Sequence, residues 1–66
     1  MEAIAKNNLF YPEYDYILWK KGKIYNCWEE NDLLRIVDER GVIFNFSRIA
    51  RNDLNSVFDF NEGGNE

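Results

Sequence analysis

Between Lys20 and Ser47 the chain alternates apolar and polar residues in three runs, 23–29, 33–38 and 42–47. The runs meet at two polar reversals, Glu29-Glu30-Asn31-Asp32 and Asp38-Glu39-Arg40-Gly41. A period of two over five to seven residues marks a half-buried strand, and the polar breaks mark tight turns. An antiparallel meander is therefore expected over almost half of the 66 residues.

A chain of this length is one domain, and such a domain buries only about 60% of the surface its unfolded chain exposes. Small domains often add a disulfide or a structural metal. Here a single cysteine, Cys27, has no partner for an internal bridge, and there is no histidine to complete a zinc site. Aromatic rings must supply the core instead. Two Trp, four Tyr and five Phe are present, and each ring buries roughly 150 to 250 Å².

The formal net charge of −4 argues against a general nucleic-acid binder, whose footprint is basic. No apolar run reaches the ~18 to 20 residues of a membrane span. The N-terminus Met1-Glu2-Ala3-Ile4-Ala5-Lys6 lacks the basic and apolar regions of a signal peptide. A cytoplasmic protein is the expectation.

Residues 1–13 read as an extended N-terminal arm, because Asn7-Asn8 and Pro12 interrupt any helical period. Tyr11 precedes proline and so favours extended geometry. The arm's apolar Ile4, Leu9, Phe10 and Tyr11 suggest that it docks on something. Residues 14–19 read as a strand apolar on both sides, with Tyr14, Tyr16 and Leu18 on one face and Ile17 and Trp19 on the other.

Gly22 suits the turn at 20–23. Along the meander Tyr25, Cys27, Leu34, Ile36, Phe44 and Phe46 fall on an inward face, with Trp28 opposite. Ser47 is placed to cap a helical or 3₁₀ turn over 48–54. Residues 57–60 read as a last strand with Phe58 and Phe60 on one side, and 61–66 as a tail without apolar anchors. The expected organisation is an arm at 1–13, a β domain at 14–60 and a flexible tail at 61–66.

Strands this short in so small a sheet must bend strongly, and a bent sheet tends to curl on itself to hide its edges. Lys21-Gly22-Lys23-Ile24-Tyr25, Leu34-Arg35-Ile36-Val37-Asp38-Glu39-Arg40-Gly41, Phe44-Asn45-Phe46 and Phe58 resemble a group of small SH3-like β-barrel proteins of bacteria and their phages. The resemblance covers about residues 16 to 60. It implies a mainly β fold, a small SH3-like antiparallel barrel or strongly bent sheet of four to five strands with one short helical turn. It also implies a phage or prophage origin. Where that group commonly carries valine two places after the tyrosine, this chain has Cys27 followed by Trp28. The departure leaves the fold expectation alone but puts a shared partner in doubt.

Catalysis finds little footing. Cys27, Ser47 and Ser56 lack the usual histidine base. The carboxylates Glu29, Glu30 and Asp32, and Asp38 and Glu39, fall in turns where water keeps them ionised. Calcium-loop spacing is missing as well. A non-enzymatic chain without cofactor or metal is expected.

Two groups remain as candidate binding residues. Tryptophan and tyrosine contribute much contact area at little rotamer cost, so Trp19, Trp28, Tyr14 and Tyr16, oriented by Glu29, Glu30 and Asp32, are expected to bind a protein. The resemblance makes that partner a host protein, such as a nucleic-acid or defence enzyme, with the chain its modulator or inhibitor. The alternative is a barrel that holds single-stranded nucleic acid through Lys20, Lys21, Lys23, Trp19 and Tyr25, by charge and stacking. A second alternative is structural self-assembly, a homodimer built on the 14–19 strand.

Overall fold

Five strands form in the computed structural model, which describes residues 1–10, 13 and 15–61. They are Glu2–Ala5 (β1), Ile24–Glu30 (β2), Leu33–Val37 (β3), Ile43–Ser47 (β4) and Phe58–Asn61 (β5). Between β4 and β5 come a 3₁₀ turn, Arg48–Ala50, and one helical turn, Arg51–Leu54 (α1). The strands make a single antiparallel sheet in the order β4-β3-β2-β1-β5.

Turn chemistry sets the meander. Asn31 and Asp32 take φ of 52° and 63°, the left-handed values that a two-residue hairpin turn needs and that Asn and Asp tolerate best among residues with a side chain. The β3–β4 reversal uses Gly41 at φ 86°. Its amide donates to the Asp38 carbonyl at 3.0 Å, while the Asp38 amide donates to the Val42 carbonyl at 2.9 Å. Asp38, expected to be solvated in its turn, is instead buried at 3% exposure, because the turn closes over its carboxylate. Its carboxylate accepts from the Arg40 and Val42 amides, at 2.9 and 2.8 Å, and from Arg40 Nε and Nη2, at 2.9 and 2.7 Å. A buried charge is tolerated when it is this fully bonded.

The sheet is open. Among the described residues, β4 and β5 do not pair. β2 divides its partners, with Ile24 to Asn26 facing β1 and Cys27 to Glu30 facing β3. The inner face carries Ala3, Ala5, Tyr25, Cys27, Leu34, Ile36 and Phe58, all buried, with Phe44, Phe46 and Phe60 packed beside them. β1 contributes alanines, and the outer strands contribute rings. Phe60 and Tyr25 flank Ala3, and Phe58 pairs with Ala5.

Two expectations about segments of the chain are corrected as well. The arm expected at 1–13 contains β1, a strand hydrogen-bonded on both sides and holding Ala3 and Ala5 at 0% and 1% exposure. Alanine is too small to signal a core position by hydropathy, so the Glu-Ala-Ile-Ala alternation was muted. Nor do the described residues of 14–19 form a strand. Leu18 and Trp19 are both buried, at 0% and 3%, and adjacent side chains cannot both point inward on a regular strand. Only a single bridge joins Trp19 to Leu9. Tyr11, Pro12, Tyr14 and the tail beyond Asn61 lie outside the described residues.

Trp19 closes the core. Its ring lies 5.1 Å from Phe44 of β4 and 5.5 Å from Phe58 of β5, both edge-to-face. One indole thus bridges rings from both edges of the open sheet, and its Nε1 donates to the Val37 carbonyl at 3.0 Å. Such a buried donor needs that acceptor. Ser47 Oγ accepts from the Ile49 amide at 3.3 Å, the cap expected for the turn that carries the chain from β4 towards β5.

Candidate functional site: an aromatic hollow beside Phe10

The long connection from β1 to β2 is clamped near its middle. The Leu9 amide donates to the Trp19 carbonyl at 2.9 Å, the Leu18 amide to the Leu9 carbonyl at 2.8 Å, and the Lys21 amide to Asn8 Oδ1 at 2.9 Å. Leu9 packs on the core. The next residue has nowhere inward to go. Phe10 is 61% exposed, a large ring held in water by a clamp one residue away.

Phe10 stands between two hollows. One, of about 280 Å³, is lined by Phe10, Asp15, Tyr16 and Ile17. The other, of about 160 Å³, lies between Phe10 and the inner-face residues Trp19, Phe46 and Phe58, with Leu54 and Val57 at its side. Tyr16, 38% exposed, has the Arg40 guanidinium 4.6 Å above its ring. That guanidinium is fixed by Asp38, so the buried carboxylate positions one wall of the hollow through Arg40. Asp15 and Glu13 add exposed carboxylates nearby in the chain.

The expected site residues do not gather on one surface. Trp19 is not a surface ring, as its place in the core makes plain. Trp28 lies on the outer face of the sheet, half-buried, with its Nε1 donating to Glu30 Oε1 at 3.2 Å and Arg35 as its cross-strand neighbour. Glu30 also pairs with Arg35 at 3.5 Å, Glu29 with Arg51 at 3.5 Å, and Asp32 with Arg48 at 3.6 Å. These carboxylates work within the chain. Of the four aromatic candidates, Tyr16 lines the larger hollow and Trp19 the floor of the smaller one, while Trp28 lies on the other face of the sheet.

The basic group resolves differently. Glu39 accepts from Lys23 Nζ at 2.6 and 2.9 Å and from the Tyr25 hydroxyl at 3.1 Å, and Lys20 Nζ lies 3.5 Å away. The Lys23 hydrogen bond is the main reason the Glu39 carboxyl sits below its usual range, and it raises Lys23 in turn. Burial raises the Tyr25 hydroxyl. With Tyr25 6% exposed and its hydroxyl also accepting from the Lys20 amide at 2.7 Å, its ring offers no stacking platform. Among the described residues no carboxylate pairs with Lys21.

Cys27 is buried, and burial pushes its thiol up to about 11. A thiol so placed is neutral at pH 7 and a poor nucleophile. Among the described residues no three Cys, Asp or Glu side chains cluster to hold a metal ion. No described helix is long and apolar enough to cross a membrane.

By sequence Phe10 reads only as part of an arm that docks. Its exposure is hidden there because Leu9 and Phe10 look equivalent by hydropathy, and only the bridge to Trp19 decides which turns inward. Comparison with protein-family models, curated proteins and solved structures finds no match.

Proposed function

We propose that this chain is a non-enzymatic protein-binding module of SH3-like form that takes an apolar side chain of its partner against Phe10. The observation that carries the reading is a ring 61% exposed on a clamped loop, with a hollow on either side. Exposed aromatics beside concave, partly apolar surfaces are favoured binding positions. Asp15 and Glu13 favour a partner with a lysine or arginine next to the inserted side chain.

The SH3-like form is supported by the strand order, by the sharing of β2 between two neighbours, and by the 3₁₀ turn before β5. The resemblance to small barrels of bacteria and their phages supports a host protein as partner, such as a nucleic-acid or defence enzyme, with the chain as its modulator in the host cytoplasm. The single-stranded nucleic-acid reading loses support because Lys20 and Lys23 are drawn onto Glu39.

A displayed random peptide library selected on the folded chain tests the reading. Recovered ligands should share an apolar residue beside Lys or Arg, and Phe10→Ala should weaken them at least ~10-fold, about 1.4 kcal/mol. Trp28→Ala should leave them bound. Ligands indifferent to Phe10→Ala, or no ligands at all, would remove the basis for the site.

A further inference from the structure

β4 is an edge strand without a charge. Its residues are Ile43, Phe44, Asn45, Phe46 and Ser47, and among the described residues only β3 pairs with it. Open edges are usually guarded by Lys, Pro or a covering segment. The opposite edge, β5, carries Asp59. β4 itself holds no Lys and no Pro, and among the described residues no strand covers its open side.

The hydrogen-bond alternation says which groups face outward. The Asp38 amide donates to the Val42 carbonyl and the Arg48 amide to the Asp32 carbonyl. Antiparallel pairing alternates, so Val42, Phe44, Phe46 and Arg48 exchange bonds with β3. The amides and carbonyls of Ile43, Asn45 and Ser47 therefore point to the open side. On the outer face Ile43 is 45% exposed, and Asn45 and Ser47 are exposed as well.

That edge is complementary to itself. We infer that β4 pairs antiparallel with β4 of a second copy of this chain, in the register that sets Asn45 opposite Asn45 on a two-fold axis normal to the sheet. In this register Asn45 exchanges both backbone bonds with its counterpart, and Ile43 exchanges them with Ser47. Phe44 of one copy faces Phe46 of the other, both on the inner side where these rings already stack at 6.5 Å. The two Asn45 amides meet on the outer side, where each can donate to the other.

Self-complementarity selects a second copy over a general extended peptide, and charge permits it. The chain carries −4 overall, and β4 is a strip without acidic residues, so repulsion between copies is least along it. On the two-fold Asn45 meets itself, and each off-axis contact, Ile43 with Ser47 and Phe44 with Phe46, occurs twice, as isologous dimers require. This pairing replaces the homodimer expected on residues 14–19, whose Leu18 and Trp19 are buried in the protomer core.

Position 45 lies on the axis, so charge there is self-opposed and gives a decisive test. Sedimentation or light scattering of the wild-type chain should pass from the mass of one chain at ~10 µM to that of two at ~1 mM, as concentration-linked association requires. Asn45→Asp and Asn45→Lys should each stay at one chain, with unchanged far-UV circular dichroism, because the side chain is exposed in the protomer. An equimolar mixture of the two should return to the mass of two chains as an Asp–Lys heterodimer. A wild-type chain that stays single at ~1 mM, variants that associate as readily as the wild type, or a mixture that stays single overturns the pairing.

Discussion

Replacing Trp19 by alanine should remove a large part of what keeps the sheet folded. The indole is 3% exposed and touches rings from both edge strands, so nearly its whole surface returns to water or faces a void. With roughly 150 to 250 Å² at about 25 cal/mol per Å², the transfer contribution is about 4 to 6 kcal/mol. The lost hydrogen bond to Val37 adds about 1 kcal/mol. Measured Trp-to-Ala changes in cores centre near 3 to 5 kcal/mol because the cavity relaxes in part. A domain of 66 residues holds roughly 3 to 10 kcal/mol in total. Trp19→Ala should therefore lose about a third or more of the domain's stability, and all of it where the total lies at the lower end of that range. Trp28→Ala, on the outer face, should cost only about 1 to 2 kcal/mol. Urea unfolding followed by far-UV circular dichroism measures both. A loss below ~1 kcal/mol for Trp19→Ala, or equal losses for the two, would refute the division of the sheet into an indole-capped inner face and an open outer one.

Other consequences are open to measurement. Asp38→Ala leaves the Arg40 and Val42 amides and the Arg40 guanidinium without their acceptor, and should cost about 2 to 4 kcal/mol in the same urea assay; it should also loosen Tyr16 under Arg40. Cys27, with its thiol raised to about 11 by burial, should react with a disulfide reagent at pH 8 orders of magnitude more slowly in the native state than in denaturant; comparable rates would mean that the sheet opens freely at β2. The Glu39 cluster gives stability a shape in pH. Glu39 lies below its ordinary carboxyl value through Lys23, so its contribution is present above about pH 4.3 and is lost as the pH falls through its folded value. Lys23 lies above its ordinary value through Glu39, and Tyr25 above its own through burial. Their contributions are present below about pH 10 and are lost as the pH rises through the folded values. In Glu39→Gln the acid-side loss should shrink, as read from thermal midpoints between about pH 3 and 7.

Much of the fold was legible because strand alternation and turn chemistry are local. Tyr25, Cys27, Leu34 and Ile36 were placed inward by period alone, and all are buried. The Asn31-Asp32 and Gly41 turns and the Ser47 cap likewise depend on neighbours within a few residues. What failed was non-local. β1 is a strand because β2 and β5 flank it, a fact that four residues containing two alanines cannot announce. Trp19 has the composition of a surface hot spot and the position of a core ring. Its fate depends on Phe44 and Phe58, which are 25 and 39 residues further along the chain. The hollow depends on the same closure, since Phe10 is turned outward by a bridge between Leu9 and Trp19.

The proposal that Phe10 contacts a partner protein is tested most directly by placing the photo-crosslinking residue p-benzoylphenylalanine at position 10, or at Ile24 on the outer face, and irradiating cells that express each chain. Ile24 is 55% exposed, so both probes reach the surrounding protein. The expected result is a discrete adduct from position 10 that excess unlabelled wild-type chain suppresses, with none from position 24. Adducts from position 24 and none from position 10 would contradict it and move the binding surface to the outer face of the sheet.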